Sequence, residues 1–167
     1  MRLKLKPGMK VADLGAGTGH YARAASAVVG RDGKVYAVDI QEDILKHAHL
    51  NMPAHGHGVV EYVWGNIEHP GGTKLREHTV DAAILANTLF QIEPAHRAGL
   101  IEEIKRILKP GGRLLVVDWA GAYGGMGPHP EHVVMEHAAE KLFIDEGFHK
   151  EGAFRAGPHH WGLVFTL

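Results

Sequence analysis

Short, nearly continuous apolar runs alternate along this chain with longer stretches whose apolar positions recur every three or four residues. The first pattern belongs to strands buried on both faces, the second to amphipathic helices. Strands are predicted at 11–14, 35–38, 59–64, 80–86 and 113–119. Helices are predicted at 21–29, at 41–50 with Asn51 and Pro53 as the stop, and at 94–108. In the last of these, Leu100, Ile101, Ile104, Ile107 and Leu108 form one apolar stripe, and Lys109-Pro110-Gly111-Gly112 ends it. Segment 65–77 is polar and Gly-rich, with at most one weak helical turn, and 55–58 reads as a loop. Four glycines and two prolines make 120–130 a loop, followed by a helix at 131–146 capped by Gly147. Two strands, 148–155 and 161–167, close the chain across Ala156-Gly157-Pro158-His159.

Strand–helix alternation with apolar strands implies an α/β, doubly wound, mostly parallel sheet covered on both faces. The final pair has no helix between its strands, so it must add an antiparallel strand. No internal repeat and no dividing linker is visible, so a single domain over 1–167 is expected.

The turn after the first strand reads Asp13-Leu14-Gly15-Ala16-Gly17-Thr18-Gly19. Glycines there let the backbone turn tightly and let a ligand approach main-chain N–H groups. Asp39 ends the second strand, 20 residues after Gly19. A carboxylate at that point can accept hydrogen bonds from both ribose hydroxyls of a nucleoside. The spacing is G-x-G-x-G, not the G-x-G-x-x-G that admits a pyrophosphate. The turn holds no basic residue, and the Gly-Lys-Ser/Thr of a phosphate loop is absent.

Composition trims the possibilities. A net charge of −1 excludes a strongly basic nucleic-acid footprint. With no cysteine, a disulfide framework, a thiolate zinc site and a cysteine nucleophile are all excluded. No apolar run is long enough for a membrane span, and the start of the chain lacks a signal peptide's apolar stretch, so a cytoplasmic location is expected. Histidine is abundant at 14 residues, so the molecule's field changes sign on mild acidification.

Five motifs, in order and at ordinary spacings, resemble those of the class I S-adenosylmethionine-dependent methyltransferases. They are the glycine turn with its strand from Val11, Val35-Tyr36-Ala37-Val38-Asp39, Gly65-Asn66-Ile67-Glu68, Asp81-Ala82-Ala83-Ile84-Leu85-Ala86-Asn87, and Leu108-Lys109-Pro110-Gly111-Gly112-Arg113-Leu114. The subgroup most similar is the ubiquinone/menaquinone-type, "type 11" methyltransferases, which the tail from Gly157 to Phe165 supports. The resemblance implies a Rossmann-like methyltransferase fold with a seven-stranded sheet and an antiparallel last strand. It implies S-adenosyl-L-methionine as cofactor, with S-adenosyl-L-homocysteine as product, and methyl transfer to a small-molecule acceptor.

The resemblance also implies residue roles. Asp13 belongs to the cofactor motif, and Gly15, Ala16 and Gly17 should face the methionine portion through their backbone. Asp39 should take the ribose hydroxyls and Ile40 should pack on the adenine. Asn66, where the family more often has Asp, and Ile67 should meet the adenine edge by side chain and backbone respectively. Asn87 should lie beside the methionine amino group.

The sulfonium supplies the activation in such a displacement, so the protein mainly aligns the nucleophile and excludes water. A base is needed only for an acceptor that arrives protonated. Topology places Asp118 and Trp119 at the carboxyl rim, with His159 and His160 at the start of an antiparallel last strand on the same rim, under a loop bearing Tyr123, His129 and His132. His159, His160 and Asp118 are the catalytic candidates. No metal is expected; the pairs His129/His132, His47/His49 and His55/His57 are the rivals, without clustered acids.

Other absences narrow the acceptor. Zero cysteine excludes the cytosine-C5 and arsenite mechanisms, and Asn87-Thr88-Leu89-Phe90 departs from the Asn/Asp-Pro-Pro-Tyr of exocyclic-amino DNA methyltransferases. An RNA or protein methyltransferase is the alternative enzyme, supported by the Arg2, Lys4, Lys6, Lys10 alternation and the many histidines. A non-catalytic S-adenosylmethionine-binding module or regulatory subunit is the alternative from another class. Nine residues interrupted by Pro7-Gly8 precede the first strand, too few for a helical cover, so a minimal fold without an N-terminal cap and an open cofactor cleft is expected. A homodimer partner, a large acceptor or ordering of loop 120–130 would then exclude water.

Overall fold

The computed structural model describes residues 2–52 and 58–167. Seven strands form one sheet: β1 (Lys10–Leu14), β2 (Lys34–Asp39), β3 (Val59–Trp64), β4 (Val80–Ala86), β5 (Leu108–Trp119), β6 (His149–Arg155) and β7 (His160–Thr166). Their order is β3-β2-β1-β4-β5-β7-β6. β1, β2, β3, β4 and β5 pair in parallel, and β7 runs antiparallel to both β5 and β6. The doubly wound, seven-stranded expectation with an antiparallel last strand therefore holds. Chain order reverses across β1 and β4, which opens a crevice at the carboxyl ends of the strands.

Period-two side-chain alternation builds two cores, one on each face. Ala12, Leu14, Tyr36, Val38, Ala83, Leu85, Leu114 and Val116 face helices α3 (Arg97–Ile107) and α4 (Glu136–Asp145). Val11, Val35, Ala37, Ala82, Ile84, Leu115 and Val117 face α1 (His20–Val29). Helix α2 (Glu42–Leu50) lies beside the start of α1, where Ala48 abuts Gly19.

Two helices start later than their patterns predict. Residues Pro94–His96 and Pro130–His132 each form a single 3-10 turn. After the second turn the backbone stays extended at Val133 and Met135, and α4 begins at Glu136. The cause is a long-range bond: the Trp161 indole N–H donates to the carbonyls of Val134 and Trp119, both at 3.1 Å, and Val134 is buried. The Lys109–Gly112 turn is absorbed into β5 as a bulge, so that Val80 pairs with Leu108 but Ala82 with Arg113.

The leading residues fold to the end of the sheet opposite the crevice. Leu3 is buried in the α1-side core, Gly8 N–H donates to the Val29 carbonyl and Lys34 N–H to that of Met9. The two sheet edges differ as well. β6 carries Lys150, Glu151 and Arg155 and a register shift between Lys150 and Gly152. β3 exposes Val59 and Trp64, and its Glu61 is paired with Lys34.

Candidate active site

A cleft of about 410 Å³ lies at the carboxyl ends of β1, β2 and β4, lined by the glycine turn, the start of α1, the residues after β2, the turn after β3 and the residues after β4. The glycine turn is held from below, since the N–H groups of Gly15 and Ala16 both donate to the Val38 carbonyl, at 2.9 and 3.0 Å. Gly17 has φ of +50°, and a Cβ there would point into open space, the space a ligand would fill. Gly15 is different: a Cβ there would strike the Thr88 side chain. Its bareness lets the turn close against β4 rather than making room for a ligand.

Asp39 is 8% exposed and ties the two motifs together. One of its oxygens accepts from Gly17 N–H at 2.8 Å, the other from Gln41 N–H at 2.9 Å. Each carboxylate oxygen keeps further acceptor capacity, which a diol approaching from the cleft can use. Ile40, next along the chain, is 58% exposed on the cleft wall, an apolar shelf of the kind a planar base covers.

Asp13 sits beneath the turn, outside the cleft wall, with Oδ2 buried and without a partner. Burial pushes its carboxyl up to about 7, against the lowering effect of the Ala22 N–H and with a further push from the Asp39 charge. Asn87 lines the cleft in a left-handed conformation, φ +54°, which Asn tolerates better than most residues. Its N–H donates to Val117 and its carbonyl accepts from the Gln91 amide, while its own Oδ1 is buried and unpartnered. The orphaned Asn87 Oδ1 on the cleft wall fits an ammonium group, whereas Asp13 Oδ2 lies beneath the turn and off the wall.

Asn66 and Ile67 line the next part of the wall. Their turn is clamped from outside by Glu103 of α3, which is fully buried. Glu103 accepts from Gly71 N–H, Thr73 N–H and the Thr73 hydroxyl at 2.6, 3.0 and 2.5 Å, and pairs with Arg106. The hydrogen-bond partners hold its carboxyl low despite burial. Sequence reading missed this clamp, although a signal was there: Glu103 falls on the apolar stripe of Leu100, Ile104 and Ile107. Thr88, Gln91 and Tyr21 also line the cleft and carry no motif signal of their own, and Glu68, the end of the Gly65–Glu68 motif, joins them.

The catalytic candidates lie elsewhere on the rim. Asp118 is buried, its oxygens accepting from Phe90 N–H at 3.1 Å and Trp119 N–H at 2.7 Å, and burial pushes its carboxyl up to about 6. It braces the short turn Leu89–Gln91 and does not line the cleft. His160 packs at a tilt against Trp119 and His159 against Tyr123, each with centroids 4.2 Å apart. His159 Nδ1 and His160 Nε2 are buried without partners, and burial, with His159 alongside, holds the His160 imidazole below its ordinary value. His160 borders a smaller cavity of about 320 Å³ with Tyr123, Phe154 and Arg155. The loop after β5 folds onto these rings: Gly127 lies against Trp119, Tyr123 and Met126 exchange backbone bonds, and no loop residue lines the cofactor cleft. Among the described residues no three His, Asp or Glu side chains gather as metal ligands; His55 and His57 lie outside them.

Residues 11–112 match a methyltransferase-domain family. The chain belongs to that family. It is similar to the ubiquinone/menaquinone biosynthesis C-methyltransferase of Haemophilus ducreyi, 32% identical over 117 residues, which are 70% of this chain and 43% of that protein. The chain thus spans less than half the length of this curated relative. Among solved structures, a SAM-dependent methyltransferase from Aquifex aeolicus is 30% identical, with a TM-score of 0.83 over 99% of this chain and 85% of that one. An arsenic(III) S-adenosylmethionine methyltransferase from Chlamydomonas reinhardtii is 21% identical and shares the fold, with a TM-score of 0.71 over 96% of this chain and 64% of that one. The resemblance to class I methyltransferases of the type 11 kind holds in family and in fold. No helix of the described residues is long and apolar enough to cross a membrane.

Proposed function

We propose that this protein binds S-adenosylmethionine in the cleft and transfers its methyl group to a small-molecule acceptor by in-line displacement. One observation carries the choice of cofactor: the charge of the wall. Among the described residues the cleft carries the carboxylates of Asp39 and Glu68 and no Lys or Arg. Such a wall repels a pyrophosphate and suits a ligand with a sulfonium and an ammonium. When bound, the sulfonium supplies an activated methyl group. Asp39 takes the ribose hydroxyls, and Ile40, Asn66 and Ile67 take the adenine. The backbone of Gly15, Ala16 and Gly17 receives the methionine portion, Asn87 holds its ammonium end, and Asp13 supports the turn from beneath.

His159 and His160 are the base candidates, each with a ring nitrogen that no protein group engages; burial lowers the His160 imidazole and so favours its neutral, proton-accepting form. Asp118 acts at one remove, as a brace for the turn that carries Phe90. The relatives' C-methyltransferase name makes ring carbons of phenolic acceptors the first to try. The reading includes a cytoplasmic setting and a second copy of the chain, or a rearranged loop 120–130, as the cover that excludes water. Release of S-adenosylhomocysteine from a panel of small acceptors, with bulk RNA and protein as parallel arms, tests it. Release with RNA alone would move the function to nucleic acid. Tight binding without release in any arm would leave a non-catalytic module.

A further inference from the structure

Asn66 stands where the family more often has Asp, and its surroundings differ accordingly. Glu68 N–H donates to Asn66 Oδ1 at 2.9 Å. A backbone N–H can only donate, so this bond fixes which end of the amide is oxygen. The other end, Nδ2, is then the donor that meets His69 Nε2 at 3.0 Å. An NH₂ group needs an acceptor, so in this arrangement Nε2 presents a lone pair. The backbone sets the amide, and the amide sets the imidazole.

We propose that His69 is a positioning residue for adenine recognition, holding the Asn66 amide in place only while its imidazole is neutral. This rests on the cofactor reading above. Protonation turns Nε2 into a second donor facing the amide NH₂, and the amide must leave or turn over. Falling pH therefore loosens the adenine subsite. An Asp at position 66 would behave in the opposite sense, since a carboxylate welcomes a protonated imidazole. The charged neighbours are few. Glu68, on the same turn, is paired with His96, whose ring centroid lies 6.4 Å from that of His69. From α3 the residue against the His69 backbone is Gly99, and the next charged groups, Glu103 and Arg106, are paired with each other.

The test is calorimetric titration with adenosine, which has the adenine and ribose but no amino-acid end, run in an Asp13→Asn background so that the Asp13–Asp39 coupling does not enter. With His69 intact, that background should lose affinity roughly 3- to 10-fold between pH 8 and pH 5.5, the worth of one hydrogen bond. His69→Gln offers a neutral acceptor at every pH and should keep the pH 8 affinity with a flat profile. His69→Leu should be weak throughout, with its fold confirmed by circular dichroism. Asn66→Asp should flatten or reverse the slope, and His96→Gln should retain it. A flat profile with His69 intact, or a slope that vanishes in His96→Gln, overturns the proposal while leaving the cofactor reading intact. Failure of wild type to bind either adenosine or S-adenosylhomocysteine overturns both.

Discussion

The carboxyl rim of this sheet has two halves built on different principles. Over β1, β2 and β4, the chain leaves oxygens open: Asp13 Oδ2 and Asn87 Oδ1 have no partner and Ile40 stands exposed. Over β5 and β7, aromatic rings satisfy one another, Trp119 on His160 and Tyr123 on His159, and the atoms left over are imidazole nitrogens. Orphaned oxygens hold a cation, whereas orphaned imidazole nitrogens exchange a proton. On the function proposed above, binding and chemistry fall to separate halves, and each can be damaged alone.

The sharpest break is on the outer half. Replacing His159 and His160 together by Ala should lower acceptor turnover by roughly 10²- to 10⁴-fold if they act as bases. S-adenosylhomocysteine affinity should stay at the wild-type value. Wild-type turnover should rise with pH through the imidazole range; identical pH profiles for the two proteins would end the assignment. On the inner half, Asp39→Ala removes a charged acceptor from two hydroxyls and should weaken cofactor binding roughly 10- to 100-fold by calorimetry. Gly17→Val should do at least as much, by filling the open space and straining a positive φ.

A smaller effect concerns Asp13. Its folded value of about 7 lies above the ordinary 3.8, so the cofactor-free folded chain binds a proton that the unfolded chain lacks between those limits. The stability this group contributes is full below about pH 4 and is lost as pH rises through 7. Asp13→Asn should therefore melt higher than wild type by several degrees at pH 8, with the gap narrowing below pH 7 and closing near pH 4, and should bind the cofactor less tightly. A gap that does not change with pH would show that Asp13 is ionised throughout. Smallest is Asn87→Gly. It relieves a left-handed Asn but adds unfolded-state freedom, so melting should barely move. S-adenosylhomocysteine binding should still drop roughly 3- to 10-fold, with adenosine binding unchanged.

The inner half was legible in the sequence because its parts are local. A glycine turn, an acid at a strand end and a Gly-Asn turn each announce themselves within a few residues. Six of the seven strands were legible for the same reason, as short apolar runs; β6, with Lys150, Glu151 and Arg155, is not one. Harder to see was anything set by contact across the fold. The helix at 131–146 looked continuous, yet Trp161 holds Val134 extended and delays α4. Asp118 looked like a rim acid, yet its oxygens are taken by the backbone of a neighbouring turn. Loop 120–130 looked free because of its glycines, yet Gly127 exists to let Trp119 approach. In the first two cases the deciding partner lies more than 20 residues away, and in the third it is near in sequence but presents no pattern of its own.

The unequal edges of the sheet bear on how the protein behaves in a tube. β6 carries a register shift and several charges, paired with Lys4, Arg113 and Glu140, whereas β3, among the described residues, shows no register shift, ends in Val59 and in Trp64 under Lys74, and has one carboxylate, paired with Lys34. An unguarded strand edge is a template for another chain. Turbidity on concentrating or warming should therefore begin at β3, far from the histidine rings, and salt that loosens the Lys34–Glu61 pair should alter its onset. A lysine introduced at Val59 is the natural remedy for anyone who needs this protein at crystallisation strength.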